Sequence, residues 1–262
     1  MRRIVIKVGT STLTHDTGKL NIKRIERLIR VLSDLKNSGH EVILVTSGAI
    51  GVGVSRLGLA GRPEETRVKQ AAAAVGQCEL MALYNKLFME YGHVTAQILM
   101  TRIITDRDNM RSNLTNTFDT LLSLGVIPIV NENDSVSVEE IECEDIAFGG
   151  NDKLSAIVAD LIRADLLVLL SDIDGLYDHN PQQDPGARLI PVVYRVDDRI
   201  RACAGGAGSQ LGTGGMVTKL EAAEIASAAG IDMIIMDGSD PARIYDIFEG
   251  KQIGTLFPAK KV

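Results

Sequence analysis

Two lysines in this chain sit where a cation is costly to keep unless an anion meets it. Lys7 interrupts the apolar run IVIKV and is followed at once by Gly9, Thr10 and Ser11. Small residues in that position leave backbone N–H groups open to a phosphate. Lys219 lies near the other end, beside Thr218, as the last residue of LGTGGMVTK, whose Gly212, Gly214 and Gly215 lead into a helical pattern. An ammonium inside an apolar strand needs an anionic partner, or else an edge position from which it reaches solvent. A glycine-rich loop can equally be a plain linker.

Three further polar clusters end apolar runs. In VTSGAIGVG (residues 45–53), Ser47 and Gly48 close a strand-like run and glycines allow close backbone approach at a helix start. That turn is either an anion site or a tight turn made for packing. It has no GxxxxGK[ST] loop, and Arg56 stands where a dinucleotide fingerprint needs its third glycine. PIVNENDSV (128–136) collects Asn131, Glu132, Asn133 and Asp134, which suit an ammonium or a metal, or merely an Asx turn. FGGNDKLSA (148–156) puts Asn151 and Asp152 after two glycines, as a helix cap or as a carboxylate that orients ammonium groups.

Cations from two distant places beside glycine turns suit phosphoryl transfer, which needs positioning and charge neutralisation more than covalent chemistry. At ~4 Å and an effective dielectric near ~20, one lysine–phosphate pair is worth about 4 kcal/mol before desolvation. A kinase therefore outranks a dehydrogenase.

Elements must bring these residues together. Short apolar runs at residues 4–8, 41–47, 94–100, 126–131, 165–171 and 232–237 have the near-continuous hydrophobicity of strands buried on both faces of a mostly parallel sheet. Helical patterns lie between them at 22–37, 65–91, 153–163 and 219–229. The alternation predicts an α/β three-layer sandwich with ligands at the strand C-terminal ends. The 262 residues read as a single domain with two lobes, 1–164 and 165–262.

Composition narrows the function. Hydrophobic residues at 45% and charged residues at 24% describe a globular chain with an aliphatic core, since aromatics are 4% and tryptophan is absent. With 28 Lys and Arg against 34 Asp and Glu, the net charge is −6 and no basic stripe marks a nucleic-acid partner. Cys78, Cys143 and Cys203 show no CxxC spacing and read as reduced thiols. The four histidines are scattered, so no protein metal site is expected. No apolar stretch reaches membrane-spanning length, and MRRIVIKVGTS reads as a strand rather than a signal peptide. The expected location is the cytoplasm.

These motifs resemble the amino acid kinase superfamily over nearly the whole chain. LLSDIDGLYDHNPQQDPGA (169–187) is similar to its nucleotide-side D-x-x-G-L-Y…P element. KVGTS, VTSGAIGVG, PIVNEND, FGGND and GTGGMVTKLEAA together resemble its glutamate-phosphorylating branch. Aspartate kinases open with K-F-G-G where this chain has Lys7-Val8-Gly9-Thr10, and uridylate and carbamate kinases carry glycine triplets absent here.

The resemblance implies roles position by position. Lys7 and Lys219 would neutralise the ATP phosphates and the group in flight, with Asp152 orienting both ammonium groups. Ser47, Gly48, Asp134 and Asn151 would bind L-glutamate. Ser171, Asp172 and the stretch Thr213, Gly214, Gly215, Met216, Val217, Thr218 and Lys219 would bind ATP, joined by Lys7. Magnesium (Mg2+) would ride on the phosphates. The glutamate γ-carboxylate, ionised at neutral pH, would attack without a general base and yield an acyl phosphate committed to proline synthesis. Lobe 1–164 would take the acceptor and lobe 165–262 the nucleotide. The resemblance further implies a homo-oligomer, feedback inhibition by proline and coupling to glutamate-5-semialdehyde dehydrogenase.

Two departures stand out. The family pattern F-G-D-N-D has Gly150 in its middle acidic position here, and the PUA domain of many bacterial members does not follow Val262 in this sequence. A kinase of another small acid such as N-acetylglutamate, or a non-catalytic amino-acid or nucleotide sensor, are the competing readings. A sensor would not need Lys7, Asp152 and Lys219. The acidic stretch 139–145 around Cys143 reads as a substrate lid or a solvated loop.

Overall fold

The computed structural model describes residues 1–15, 17–102, 107–136, 150–181, 183–204 and 215–260. The stretch around Cys143, together with Phe148, Gly149, Thr213 and Gly214, lies outside them.

All six apolar runs are strands: β1 (Arg3–Val8), β2 (Glu41–Val45), β3 (Thr95–Met100), β4 (Ile127–Glu132), β5 (Leu166–Ser171) and β6 (Asp232–Asp237). They form one sheet in the order β3-β4-β2-β1-β5-β6-β7, parallel except for β7 (Thr255–Phe257), which runs antiparallel to β6. At three residues, β7 is too short to stand out in a hydrophobic pattern. The four strands from the first 164 residues lie side by side, and the three later ones continue the sheet through the pairing of β1 with β5.

Alternation along β1 assigns its two faces. Ile4, Ile6 and Val8 pack with Ile25, Leu28 and Leu32 of α2 (Ile22–Asn37) and Leu80, Tyr84 and Phe88 of α4 (Thr66–Met89). Val5 faces the opposite layer, with Leu154 and Val158 of α6 (Asn151–Leu161) and Leu220 and Ala223 of α8 (Met216–Ala228). Lys7, two residues on from Val5, is directed to that same layer by the strand's period of two. β1 is paired on both sides, with β2 and β5, so Lys7 is no edge lysine. The sheet order reverses about β1, and α/β folds bind ligands beyond the strand C-termini at such a switch point.

The remaining helices are short or weakly patterned: α1 (Thr10–Leu13), α3 (Ala49–Arg56), α5 (Asp108–Ser123), α7 (Asp198–Cys203) and α9 (Ile244–Phe248). In α5 only Phe118 and Leu122 are buried, which is why sequence periodicity passes over it. Helix α3 crosses α4 at backbone contact. A Cβ on Gly76 would fall 1.8 Å from the Ala49 carbonyl oxygen, and one on Gly53 1.8 Å from that of Ala72.

The Gly76→Ala variant must therefore separate two helix backbones, an overpacking that costs about 3 kcal/mol. A lower urea midpoint at unchanged m-value is the expected outcome. An unaltered midpoint would show that the crossing is free to relax.

Candidate active site

Asp152 stands at the second position of α6, whose N-cap is Gly150. It is therefore not the cap, and its side chain is turned to the layer that Lys7 enters from β1 and Lys219 from α8. Lys7 Nζ lies 2.7 Å from Asp152 Oδ1, and Lys219 Nζ lies 3.3 Å from Oδ2. The Thr218 hydroxyl is 2.9 Å from both Oδ2 and the Gly215 carbonyl oxygen, which share its single hydrogen. Asp152 is 2% exposed, Lys7 8% and Lys219 6%. Alanines 156, 159, 222 and 223 let α6 and α8 approach closely, and Lys153 of α6 pairs with Glu221 of α8 at 2.9 Å.

Two ammonium groups and one carboxylate leave this buried cluster with a surplus positive charge. Burial is the largest influence on the Asp152 carboxyl and pushes its pKa up. The charges of Lys7 and Lys219 and the hydrogen bonds from Lys7 and Thr218 together outweigh it, and the net shift is downward. Asp152 is thus ionised at neutral pH. Each of its oxygens lies beside an ammonium nitrogen.

An amide cluster adjoins the lysine pair. Asn151 Nδ2 donates to Ser47 Oγ at 2.9 Å, to the Thr46 carbonyl at 3.1 Å and to Asn131 Oδ1 at 3.2 Å. Asn131 Nδ2 in turn donates to Gln77 Oε1 at 2.9 Å. The Thr46 hydroxyl and the Tyr84 phenol are hydrogen-bonded at 2.7 Å, and burial pushes the Tyr84 pKa up, so the phenol stays protonated. Gly48, at φ 91°, is in the left-handed region and caps α3 without a side-chain bond.

Helices α3, α6 and α8 all begin from a glycine, Gly48, Gly150 and Gly215, which offers no side-chain cap to the first-turn N–H groups. Such termini accept anions. Gly150 combines φ 109° with ψ 158°, a region essentially restricted to glycine. The aspartate of the family pattern would need a different backbone there. At the end of β5 the Ser171 hydroxyl donates to Asp172 Oδ1 at 3.1 Å. The neighbouring end of β6 is drawn in where Gly238 N–H donates to the Ser171 carbonyl at 2.7 Å.

The fold thus unites Lys7, Asp152, Thr218 and Lys219 in one cluster and Ser47, Gly48 and Asn151 in a second beside it. Ser171 and Asp172 end the strand next to β1. Asp134 is on the partly exposed turn after β4, while Met216 and the half-exposed Val217 open α8. Thr218, read from the sequence as a nucleotide contact, spends its hydroxyl on Asp152 and Gly215. Gln77, Thr46 and Tyr84 escape sequence reading, because polar residues at the buried stripe of an alanine-rich helix or at a strand end carry no spacing signature. Asn131 does signal, through its place in the NEND cluster.

Residues 2–237 match the model of the amino acid kinase family. The chain belongs to that family. Curated relatives within this kinase family include glutamate 5-kinase of Clostridium perfringens, 56% identical over 260 residues that span 99% of this chain and 96% of the relative. Glutamate 5-kinase of Listeria monocytogenes is 54% identical, with 99% and 94% covered. These relatives leave too little unmatched length for an appended PUA domain. Among solved structures, carbamate kinase from Giardia lamblia bound to AMP-PNP superposes with TM-score 0.69 at 16% identity, covering 99% of both chains. An isopentenyl phosphate kinase substrate complex gives 0.67 at 19% identity, covering 98% of this chain and all of the other. Those likenesses establish the α/β amino acid kinase fold. Among the described residues no helix is long and apolar enough to cross a membrane.

The depressed pKa of Asp152 has a signed consequence. A carboxyl that titrates lower when folded than unfolded binds its proton more readily in the unfolded chain, so its contribution to stability is present above the ordinary carboxylate value, near 3.8, and is lost as pH falls through the folded value. Asp152→Asn removes the carboxylate that both buried ammonium groups share and destabilises the fold by about 3 kcal/mol or more at pH 7. The gap between the variant and the parent should narrow in urea titrations below pH ~4. A gap independent of pH would remove the charge from the explanation.

Proposed function

We propose that this chain transfers the γ-phosphoryl group of ATP to the γ-carboxylate of L-glutamate, forming L-glutamyl 5-phosphate and ADP in the first step of proline biosynthesis. The observation that carries the reading is the buried Lys7–Asp152–Lys219 cluster. Its surplus positive charge, bordered by glycine-started helices, fits a triphosphate tail. The kinship with glutamate 5-kinases supplies the acceptor.

The steps follow from the residues. Lys7 and Lys219 hold charge on the transferring group and the β-phosphate, where it develops as the bridging P–O bond breaks. Asp152 keeps both ammonium groups aimed and does not take a proton. The attacking γ-carboxylate oxygen is already ionised, so no base is required, and the new bond is a carboxyl–phosphate anhydride. Ser47, Gly48, Asn151 and Asp134 bind glutamate and place its γ-carboxylate in line. Ser171, Asp172 and residues 213–219 hold the nucleotide. Magnesium carried on the nucleotide would supply further charge neutralisation beside Lys7 and Lys219.

The half up to residue 164 takes the acceptor and residues 165–262 take the nucleotide, with Lys7 reaching across from β1. Homo-oligomerisation, inhibition by proline and delivery of the acyl phosphate to glutamate-5-semialdehyde dehydrogenase in the cytoplasm belong to the same proposal. An acyl phosphate hydrolyses readily, which favours a consuming enzyme close by. A purely sensory role has no use for two buried cations held on one carboxylate.

Hydroxylamine trapping with Mg-ATP should give the hydroxamate from glutamate and little from N-acetylglutamate or aspartate. Preference for N-acetylglutamate would replace the acceptor in this reading. Lys7→Ala and Lys219→Ala should each lower kcat by about 100-fold or more, and near-normal turnover in either would refute its role. Asp134→Ala should raise the KM for glutamate far more than that for ATP, whereas equal rises would move Asp134 out of the acceptor site.

A further inference from the structure

The amide cluster beside the lysines has a direction. The Thr46 backbone carbonyl can only accept, so the end of Asn151 that faces it at 3.1 Å must be the NH2 group. That NH2 also meets Asn131, which must then present its oxygen and turn its own NH2 toward Gln77. Gln77 must answer with Oε1. One main-chain oxygen thereby orients three side-chain amides drawn from β4, α4 and α6. Two atoms are left at the ends of the chain of bonds: Gln77 Nε2 and Asn151 Oδ1, both buried and without a hydrogen-bond partner among the described residues. Buried amide groups are seldom left so.

We propose that Gln77 is a positioning residue for the acceptor substrate. Through Asn131 it locks the Asn151 amide so that Oδ1 is held as an acceptor for an N–H donor of the substrate. The inference rests on the proposed glutamate kinase activity, in which that donor is the α-ammonium group. Gln77 is 7% exposed and approaches no reacting atom, so it acts only through Asn131. Its reach depends on the close α3–α4 crossing, because the adjacent Gly76 is what lets α4 come down onto Ala49. Without the Gln77 oxygen, only the bond from Asn151 keeps the Asn131 NH2 outward. A reversed Asn131 sets NH2 against NH2 and works against the bond of Asn151 to the Thr46 carbonyl, which loosens the Asn151 amide.

The test compares Gln77→Met, nearly isosteric but without an amide, with Gln77→Glu, whose carboxyl keeps an accepting oxygen at the same reach in either protonation state. The assay is glutamyl-hydroxamate formation, with glutamate and ATP varied in turn. Gln77→Met should raise the KM for glutamate roughly ten-fold, the effect of one buried donor left without its acceptor. The KM for ATP should stay within about two-fold, and Gln77→Glu should recover most of the loss. An unchanged glutamate KM in Gln77→Met, equal impairment of both variants, or parallel rises in both KM values would each overturn the proposal. If Gln77→Met does not fold, Gln77→Ser carries the same test, being too short to reach Asn131. Parent protein that yields no hydroxamate from glutamate would sink the activity itself, and would do so before any variant is made. An active parent with an indifferent Gln77→Met sinks the relay alone.

Discussion

One carboxylate bridging two ammonium groups is the constraint on which the rest of this structure turns. Asp152 meets Lys7 from the first strand and Lys219 from the eighth helix, and all three are nearly inaccessible to solvent. Removing charges from water costs several kcal/mol per ion even after relaxation. Such a cluster survives only if the surrounding packing is strong. The central position of β1 and the alanine-lined contact of α6 with α8 provide that packing, and together they aim both cations at the same end of the sheet.

The surplus charge explains the neighbourhood. A buried site with net positive charge calls for an anion, and three helices start around it from glycines with their first-turn N–H groups uncapped. Asn21 caps α2 and Asp197 caps α7 with their side chains, while α1, α4, α5 and α9 also start without a side-chain cap. At the three glycine starts beside the charge cluster, a phosphate or carboxylate can partner the first-turn N–H groups.

Beside the charge cluster lies a neutral one with a different task. Amides and hydroxyls around Asn151 carry no net charge and gain little from long-range fields, so they discriminate by geometry and donor–acceptor direction. In the proposed reaction the cations drive the chemistry and the amides choose the acceptor, and the first task tolerates small displacements better than the second. Gly53 and Gly76 matter for that reason, since they set the helix crossing that carries Gln77 to Asn131.

Much of this was legible in the linear chain. Six strands and the principal helices follow from hydrophobic period, because a parallel sheet covered on both faces needs continuous apolar runs and amphipathic helices between them. The candidates Lys7, Ser47, Asn151, Asp152 and Lys219 stand out as polar residues placed where apolar ones end, beside glycines. The family kinship was readable from the same motifs. Other features were decided only by the tertiary structure. Whether Lys7 lay at an edge or inside the sheet depended on the strand order, which local pattern does not encode. The bond of Thr218 to Asp152 follows from the packing of α8 on α6. Gln77 and Tyr84 joined the site from an alanine-rich helix, through bonds to residues more than thirty positions away. Periodicity reports which face of an element is buried, whereas the partner found by a buried polar atom depends on the angle and distance at which two elements cross.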